Sequence, residues 1–198
     1  MPRYAIDVVI LPPEPTTDLA IEWNRKLSHL SHQSILLNKS DMLPHISLLM
    51  GCMEESNLHE ATTVLHQLTE VAVPISLEVK GLKFTEDSHP VAALDIQTTP
   101  SLLATQKWLI GMIEGLITQD TVEADLFDAP SGSTSALKWI NSFIPEQTGS
   151  KFWPHITLGH GVIGEHQRSF SFTPDRLAIC HLGKYCTCRQ VLSEVSWK

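Results

Sequence analysis

The chain has 198 residues, 42% of them hydrophobic, with 14 Lys and Arg against 22 Asp and Glu for a formal net charge of -8. That length suffices for one well-buried domain or for two lobes sharing a cleft, and the acidic balance argues against a broad basic footprint for long nucleic acids. No apolar run approaches the ~18 residues of a membrane span, and Met1-Pro2-Arg3 runs into a strand-like segment with no signal-peptide pattern, so the expectation is a soluble, cytoplasmic protein.

Tyr4 to Leu11 alternates as a strand, with Tyr4, Ile6, Val8 and Ile10 on one face and Ala5, Asp7 and Val9 on the other. Pro12, Pro13 and Pro15 are expected to end it. Thr16, Thr17 and Asp18 are N-cap candidates for a helix with Ala20, Trp23, Leu27 and Leu30 on its apolar face, and His29 and His32 near its end read as surface residues. Asn57 and Glu60 resemble a capping box for a second helix that buries Leu58, Ala61, Val64, Leu65, Leu68 and Val71. Pro74 ends that helix. Ile75 to Phe84 then alternates, interrupted at Gly81, a turn follows through Glu86-Asp87-Ser88, and Val91 to Ile96 is a further strand.

Thr99 before Pro100 opens a third helix along Leu102, Gln106, Leu109, Ile113 and Leu116. Thr118 to Ser135 reads as loop. The run Pro130-Ser131-Gly132-Ser133-Thr134-Ser135 lacks the lysine and spacing of a phosphate-cradling P-loop, and it leads into a short helix with Ala136, Trp139, Ile140 and Phe143 that Pro145 should end. Short strands are expected around Phe170 and Phe172, at Leu177 to Leu182 and at Val191 to Trp197, the last two joined by a tight turn at Gly183-Lys184-Tyr185. In the last strand Val191, Ser193, Val195 and Trp197 should share one face. The four cysteines, Cys52, Cys180, Cys186 and Cys188, are expected to be reduced thiols. Cys180-His181 and Cys186-x-Cys188 hold atoms suited to zinc, but their spacing is narrower than structural zinc sites use, and apolar packing is the expectation.

One pattern occurs twice. Pro44-His45-Ile46-Ser47-Leu48-Leu49-Met50-Gly51 and Pro154-His155-Ile156-Thr157-Leu158-Gly159-His160-Gly161 both read Pro-His-Ile-(Ser or Thr)-Leu-x-x-Gly. In a strand the His and the hydroxyl two residues on project to one side while Ile and Leu point to the other. Two such edges facing each other surround one small polar object with two proton-transfer groups and two hydrogen-bond donors. A phosphate suits that set.

The duplicated His-x-Ser/Thr signature, each copy within a hydrophobic strand, resembles the 2H phosphoesterase superfamily, which includes bacterial 2′-5′ RNA ligases and cyclic nucleotide phosphodiesterases. The resemblance covers most of the chain in order of elements, and its specificity rests on the two motifs. It implies a single bilobal α+β domain over residues 1–198: two antiparallel sheets related by a pseudo-twofold, flanked by helices, each placing one motif strand at a central cleft. It also implies a metal-independent and cofactor-free reaction on a nucleotide or RNA end with a 2′,3′-cyclic or 2′-5′ phosphodiester, in a chain expected to be a monomer.

His45 and His155 are then the catalytic pair, since an imidazole with a pKa near ~6.5 serves as acid or base around neutral pH. Ser47 and Thr157 would bind the non-bridging oxygens. Some bacterial relatives carry an Arg shortly after the second motif, where this chain has Gly159-His160. His160, Trp153 and Tyr185 are the candidates for substrate contact, and Lys151 and Lys184 for charge at the rim. Hydrolysis, ligation by the same site and non-catalytic binding of nucleotides or RNA ends all stay open, as does which His is acid and which base.

Overall fold

In the computed structural model of the chain, which describes residues 2–30, 35–86, 88–128 and 132–197, the alternating first segment forms β1 (Arg3–Leu11). The expectations for His32, Asp87, Pro130 and Ser131, and for the side chain of Leu30, lie outside the described residues. Ile6, Val8 and Ile10 enter the main core, and Ala5 and Val9 enter two smaller clusters on the opposite face. The first helix, α1 (Glu14–Leu30), begins upstream of its expected caps. Pro15 sits in its first turn, where an N–H has no helical partner to lose, so this proline helps open the helix.

The first motif runs into β2 (Ile46–Glu54), and a 3-10 turn at Glu55–Asn57 leads into α2 (Leu58–Val71). Because that turn already carries the chain in helical geometry, Asn57 (φ -87°, ψ -9°) forms no capping box, and its amide donates instead to the Leu116 carbonyl at 3.0 Å. Ala61, Val64, Leu65 and Leu68 are buried as expected, whereas Val71 in the last turn is left uncovered. Gly81 does not break β3 (Leu77–Phe84). It sits at a bulge with φ 147°, a conformation that needs no Cβ, and the strand continues to pair with β4 (Val91–Ile96). Thr99 caps α3 (Pro100–Ile113) by accepting the Leu102 N–H at 3.2 Å. After the short β5 (Ile117–Thr118) come α4 (Thr134–Asn141) and α5 (Phe143–Glu146); Pro145 lies inside this second turn of helix instead of ending the first.

The remaining strands are β6 (His155–His160), β7 (Phe170–Phe172), β8 (Arg176–Leu182) and β9 (Cys188–Ser196). They complete two antiparallel sheets, ordered β5-β2-β1-β8-β9 and β6-β4-β3-β7. Each sheet takes strands from both halves of the chain, so the lobes are not its two halves. The helices follow the same exchange: α1 leaves one sheet and packs on β6 of the other, and α3 leaves the second sheet and packs on β2 of the first.

Within this exchange the pseudo-twofold holds at the level of single residues. The runs β2-β1-β8-β9 and β6-β4-β3-β7 correspond strand for strand. Pairing between β1 and β2 slips between Val8 and Val9, which leaves Leu48 unpaired, and pairing between β4 and β6 slips between Ala92 and Ala93, which leaves Leu158 unpaired. The same motif leucine forms the bulge in both lobes. Bulges raise local twist and re-aim side chains, and both stand one residue beyond the motif hydroxyl.

The end of the chain departs from expectation in three ways. Cys180 and Cys188 form a disulfide across β8 and β9, with Cα atoms 5.5 Å apart, so two of the four expected thiols are paired. Register shifts in this hairpin place Cys180 opposite Val191 and Leu182 opposite Cys188, which brings the two cysteines diagonally together among Val9, Leu11 and Ala178. Cys52 and Cys186 remain free, and among the described residues no group of three or more His, Cys, Asp or Glu is placed to hold a metal ion. The expected tight turn is a longer loop whose 3-10 turn, Lys184–Cys186, carries Tyr185 and Cys186 at φ 61° and 55°. Finally, the slip at Leu192 sends Val191 to the disulfide cluster while Val195 and Trp197 enter the main core, so they do not share a face. Among the described residues no helix is long and apolar enough to cross a membrane.

Candidate active site

The Pro-His step of each motif has a local physical role. A residue before proline is driven to extended backbone, and the carbonyl of that residue is the one each motif histidine meets. His45 Nδ1 lies 2.7 Å from the carbonyl of Leu43, and His155 Nδ1 lies 2.8 Å from the carbonyl of Trp153. A carbonyl only accepts, so each Nδ1 carries the hydrogen and each neutral ring keeps its lone pair on Nε2. The two rings are thus locked in the same tautomer by the same device.

The hydroxyls are placed less symmetrically. Ser47 Oγ donates to Asp7 Oδ2 at 2.6 Å, and the same carboxyl oxygen is 3.7 Å from His45 Nε2. Asp7 is fully buried, and its Oδ1 has no hydrogen-bond partner. In the other lobe the strand position matching Asp7 is Val91, so no carboxyl stands beside Thr157. Asp95 is instead drawn aside by Lys80 at 3.0 Å and by the Trp153 indole N–H at 2.8 Å.

Burial sets the charge states. It pushes the Asp7 carboxyl well above the usual range, against the hydrogen bonds from Ser47 and the Leu49 backbone. It lowers His45, partly offset by the Leu43 carbonyl. It lowers His155 as well, to about 4, with the Trp153 carbonyl and Asp95 opposing and the nearby His45 and Lys83 adding to the drop. His45 and Asp7 therefore stand together as a pair that each prefers to be neutral, and the gap of 3.7 Å is too long for a hydrogen bond.

His45, Ser47, His155 and Thr157 line one cleft of about 300 Å³, and Trp153, His160 and Tyr185 line it too. The Trp153 ring is stacked on His155 at 4.1 Å and 21°, and Lys83 Nζ stands over it at 4.5 Å. The indole N–H is held by Asp95, so Trp153 buttresses His155 at the wall of the cleft. His160 makes a T-shaped contact with Tyr185, with ring centres 5.8 Å apart. Lys151 lies outside the cleft, paired with Glu146 at 2.8 Å, and Lys184 is stacked over Tyr185 at 5.3 Å.

Two residues of this site carried no role in the sequence reading. Asp7 is the one acid inside an otherwise apolar strand, a signal that was visible. Trp139 on α4 reaches the cleft while 38% exposed, and helix periodicity alone gives it only a packing role.

No family model matches the sequence, and no curated protein matches it significantly. Among solved structures the chain is similar to one described as the crystal structure of TT0787 of Thermus thermophilus, with 15% identity over 98% of this chain and 97% of that chain and a TM-score of 0.61. The shared feature is the fold, an α+β arrangement of two antiparallel sheets flanked by helices.

Proposed function

We propose that the chain is a metal-independent phosphodiesterase of the 2H phosphoesterase kind, acting on 2′,3′-cyclic or 2′-5′ phosphodiesters of nucleotides or RNA ends. The observation that carries this is the matched pair of imidazoles: each has Nδ1 tied to its own strand's carbonyl, each keeps Nε2 for the chemistry, and both line one cleft with a hydroxyl two residues on.

We assign the roles from the asymmetry between the two histidines. His155, neutral down to about pH 4, takes the proton of the attacking water on Nε2. An anionic phosphodiester entering the cleft favours protonation of one ring, and we place that proton on His45, whose Nε2 lies 3.7 Å from Asp7 Oδ2. Water oxygen bonds to phosphorus, the ester P–O bond breaks, and His45 returns its proton to the departing oxygen. Thr157 donates to a non-bridging oxygen. With Asp7 protonated, its O–H turns to Ser47 Oγ and releases the Ser47 hydrogen to a second one. Ligation would put an RNA hydroxyl in the place of the water: its oxygen bonds to the phosphorus of a cyclic phosphate, the ring P–O bond breaks, and the two histidines move the same two protons.

Turnover by EDTA-treated protein of 2′,3′-cyclic nucleotides, a 3′,5′-cyclic nucleotide and 2′-5′-linked dinucleotides tests the proposal. The expected result is activity on at least one 2′,3′-cyclic or 2′-5′ substrate, with kcat/KM rising with pH through about 4 as His155 loses its proton in the free enzyme. Inertness across the panel, or activity that EDTA abolishes, would count against it.

A further inference from the structure

The cleft contains no Asp, Glu, Lys or Arg among its described lining residues. Its walls are aliphatic at Ile35, Leu37 and Leu43 and aromatic at Trp139, Phe143 and Tyr185. The closest lysines named above, Lys83 and Lys184, stand over the rings of Trp153 and Tyr185 and not among the lining side chains. The chain as a whole carries -8.

From this we infer that the ligand of the cleft is a small phosphodiester with one negative charge and an aromatic body, held between Trp139 and Tyr185, and not the end of an RNA chain. The inference rests on the proposed function for the phosphate, and it adds the size and charge of what bears that phosphate. One imidazolium balances one phosphodiester charge. A second phosphate would find no Lys or Arg among the described lining residues, against the field of an acidic protein, and burying an unpaired charge is costly. Recognition of a polynucleotide backbone uses Lys and Arg at successive phosphates, and none is among the described residues lining the cleft. A volume of about 300 Å³ is at the small end for ligand pockets.

The aromatic part of the inference stands on which rings are open. Trp153 is already stacked on His155, with Lys83 Nζ 4.5 Å from its ring. Tyr185 lines the cleft with Lys184 over its ring and His160 in T-shaped contact, and Trp139 offers an exposed indole on α4. Stacking a base on an aromatic side chain contributes about 1–3 kcal/mol, a 5- to 150-fold effect on affinity.

The test compares adenosine 2′,3′-cyclic monophosphate with a tetraadenylate ending in a 2′,3′-cyclic phosphate. Turnover is followed with the full chain, and binding with His155→Ala, which keeps the imidazole assigned the positive charge. The mononucleotide should be preferred at least ~10-fold. Between 50 and 200 mM salt, log-log slopes of about -0.7 per neutralised phosphate predict a loss of about 3-fold for one contact and about 20-fold for three, and the smaller loss is expected. Trp139→Ala should raise KM for the mononucleotide about 10-fold with kcat little changed, and Trp139→Phe should restore most of it. Equal or tighter binding of the tetranucleotide with the steeper salt dependence would overturn the inference, as would an unchanged KM in Trp139→Ala. If neither probe is turned over but the mononucleotide binds preferentially, the hydrolytic reading falls and the ligand inference stands. If neither binds, both fall.

Discussion

Replacing His45 or His155 by alanine is expected to lower kcat at least ~100-fold on whichever substrate of the panel is turned over, the lower end of what a positioned acid or base contributes. The two losses should not multiply in the double variant, because water activation and leaving-group protonation belong to one transition state. Neither substitution should unfold the protein. Each ring's Nδ1 bond runs to its own chain two residues back, to Leu43 or to Trp153, and holds no second element in place. Thermal unfolding of each variant would separate a chemical loss from a structural one. Activity within tenfold of wild type, in folded protein, would remove that histidine from the mechanism.

The second large effect concerns stability and pH. Asp7 has an ordinary carboxyl pKa near ~3.9 when the chain is unfolded and a raised one when it is buried. The folded state therefore binds more protons than the unfolded state between those two values, and stability falls as pH rises through that window. The groups facing Asp7 are Ser47, the Leu49 N–H, His45 and the free thiol of Cys186, and none of them supplies a fixed positive charge. Asp7→Asn keeps the shape and can donate to Ser47 Oγ while it removes the proton linkage. Its melting temperature should match wild type at or below about pH 4 and exceed it at higher pH by about 5 °C, since an uncompensated buried group costs about 1–3 kcal/mol and each kcal/mol moves Tm by about 2–4 °C at this size. The lowered histidines act in the opposite direction. His155, at about 4 folded and ~6.5 unfolded, lowers stability as pH falls through that range, so Asp7→Asn should leave the acid limb of the curve in place. A variant less stable than wild type at every pH would show that Asp7 is needed as a carboxylate.

The sequence by itself determined what depends on neighbours along the chain. The Pro-His-Ile-(Ser or Thr)-Leu pattern placed an imidazole and a hydroxyl on one side of each strand, and the proline already implied the extended residue whose carbonyl fixes each ring. The helix at Thr99 and the strand Val91–Ile96 were equally legible, one from a cap and a first-turn proline, the other from a mostly apolar run after turn residues. Only the tertiary structure decided what depends on pairing between distant segments. These include the exchange of strands between lobes, the twin bulges at Leu48 and Leu158, the diagonal meeting of Cys180 with Cys188, the arrival of Trp139 at the cleft and that of Asp7 behind Ser47 and His45. The physical reason is that side-chain period and proline sterics act over one to four residues, whereas register and bulges are set by which strand lies alongside. That choice is made by burying the whole apolar core at once.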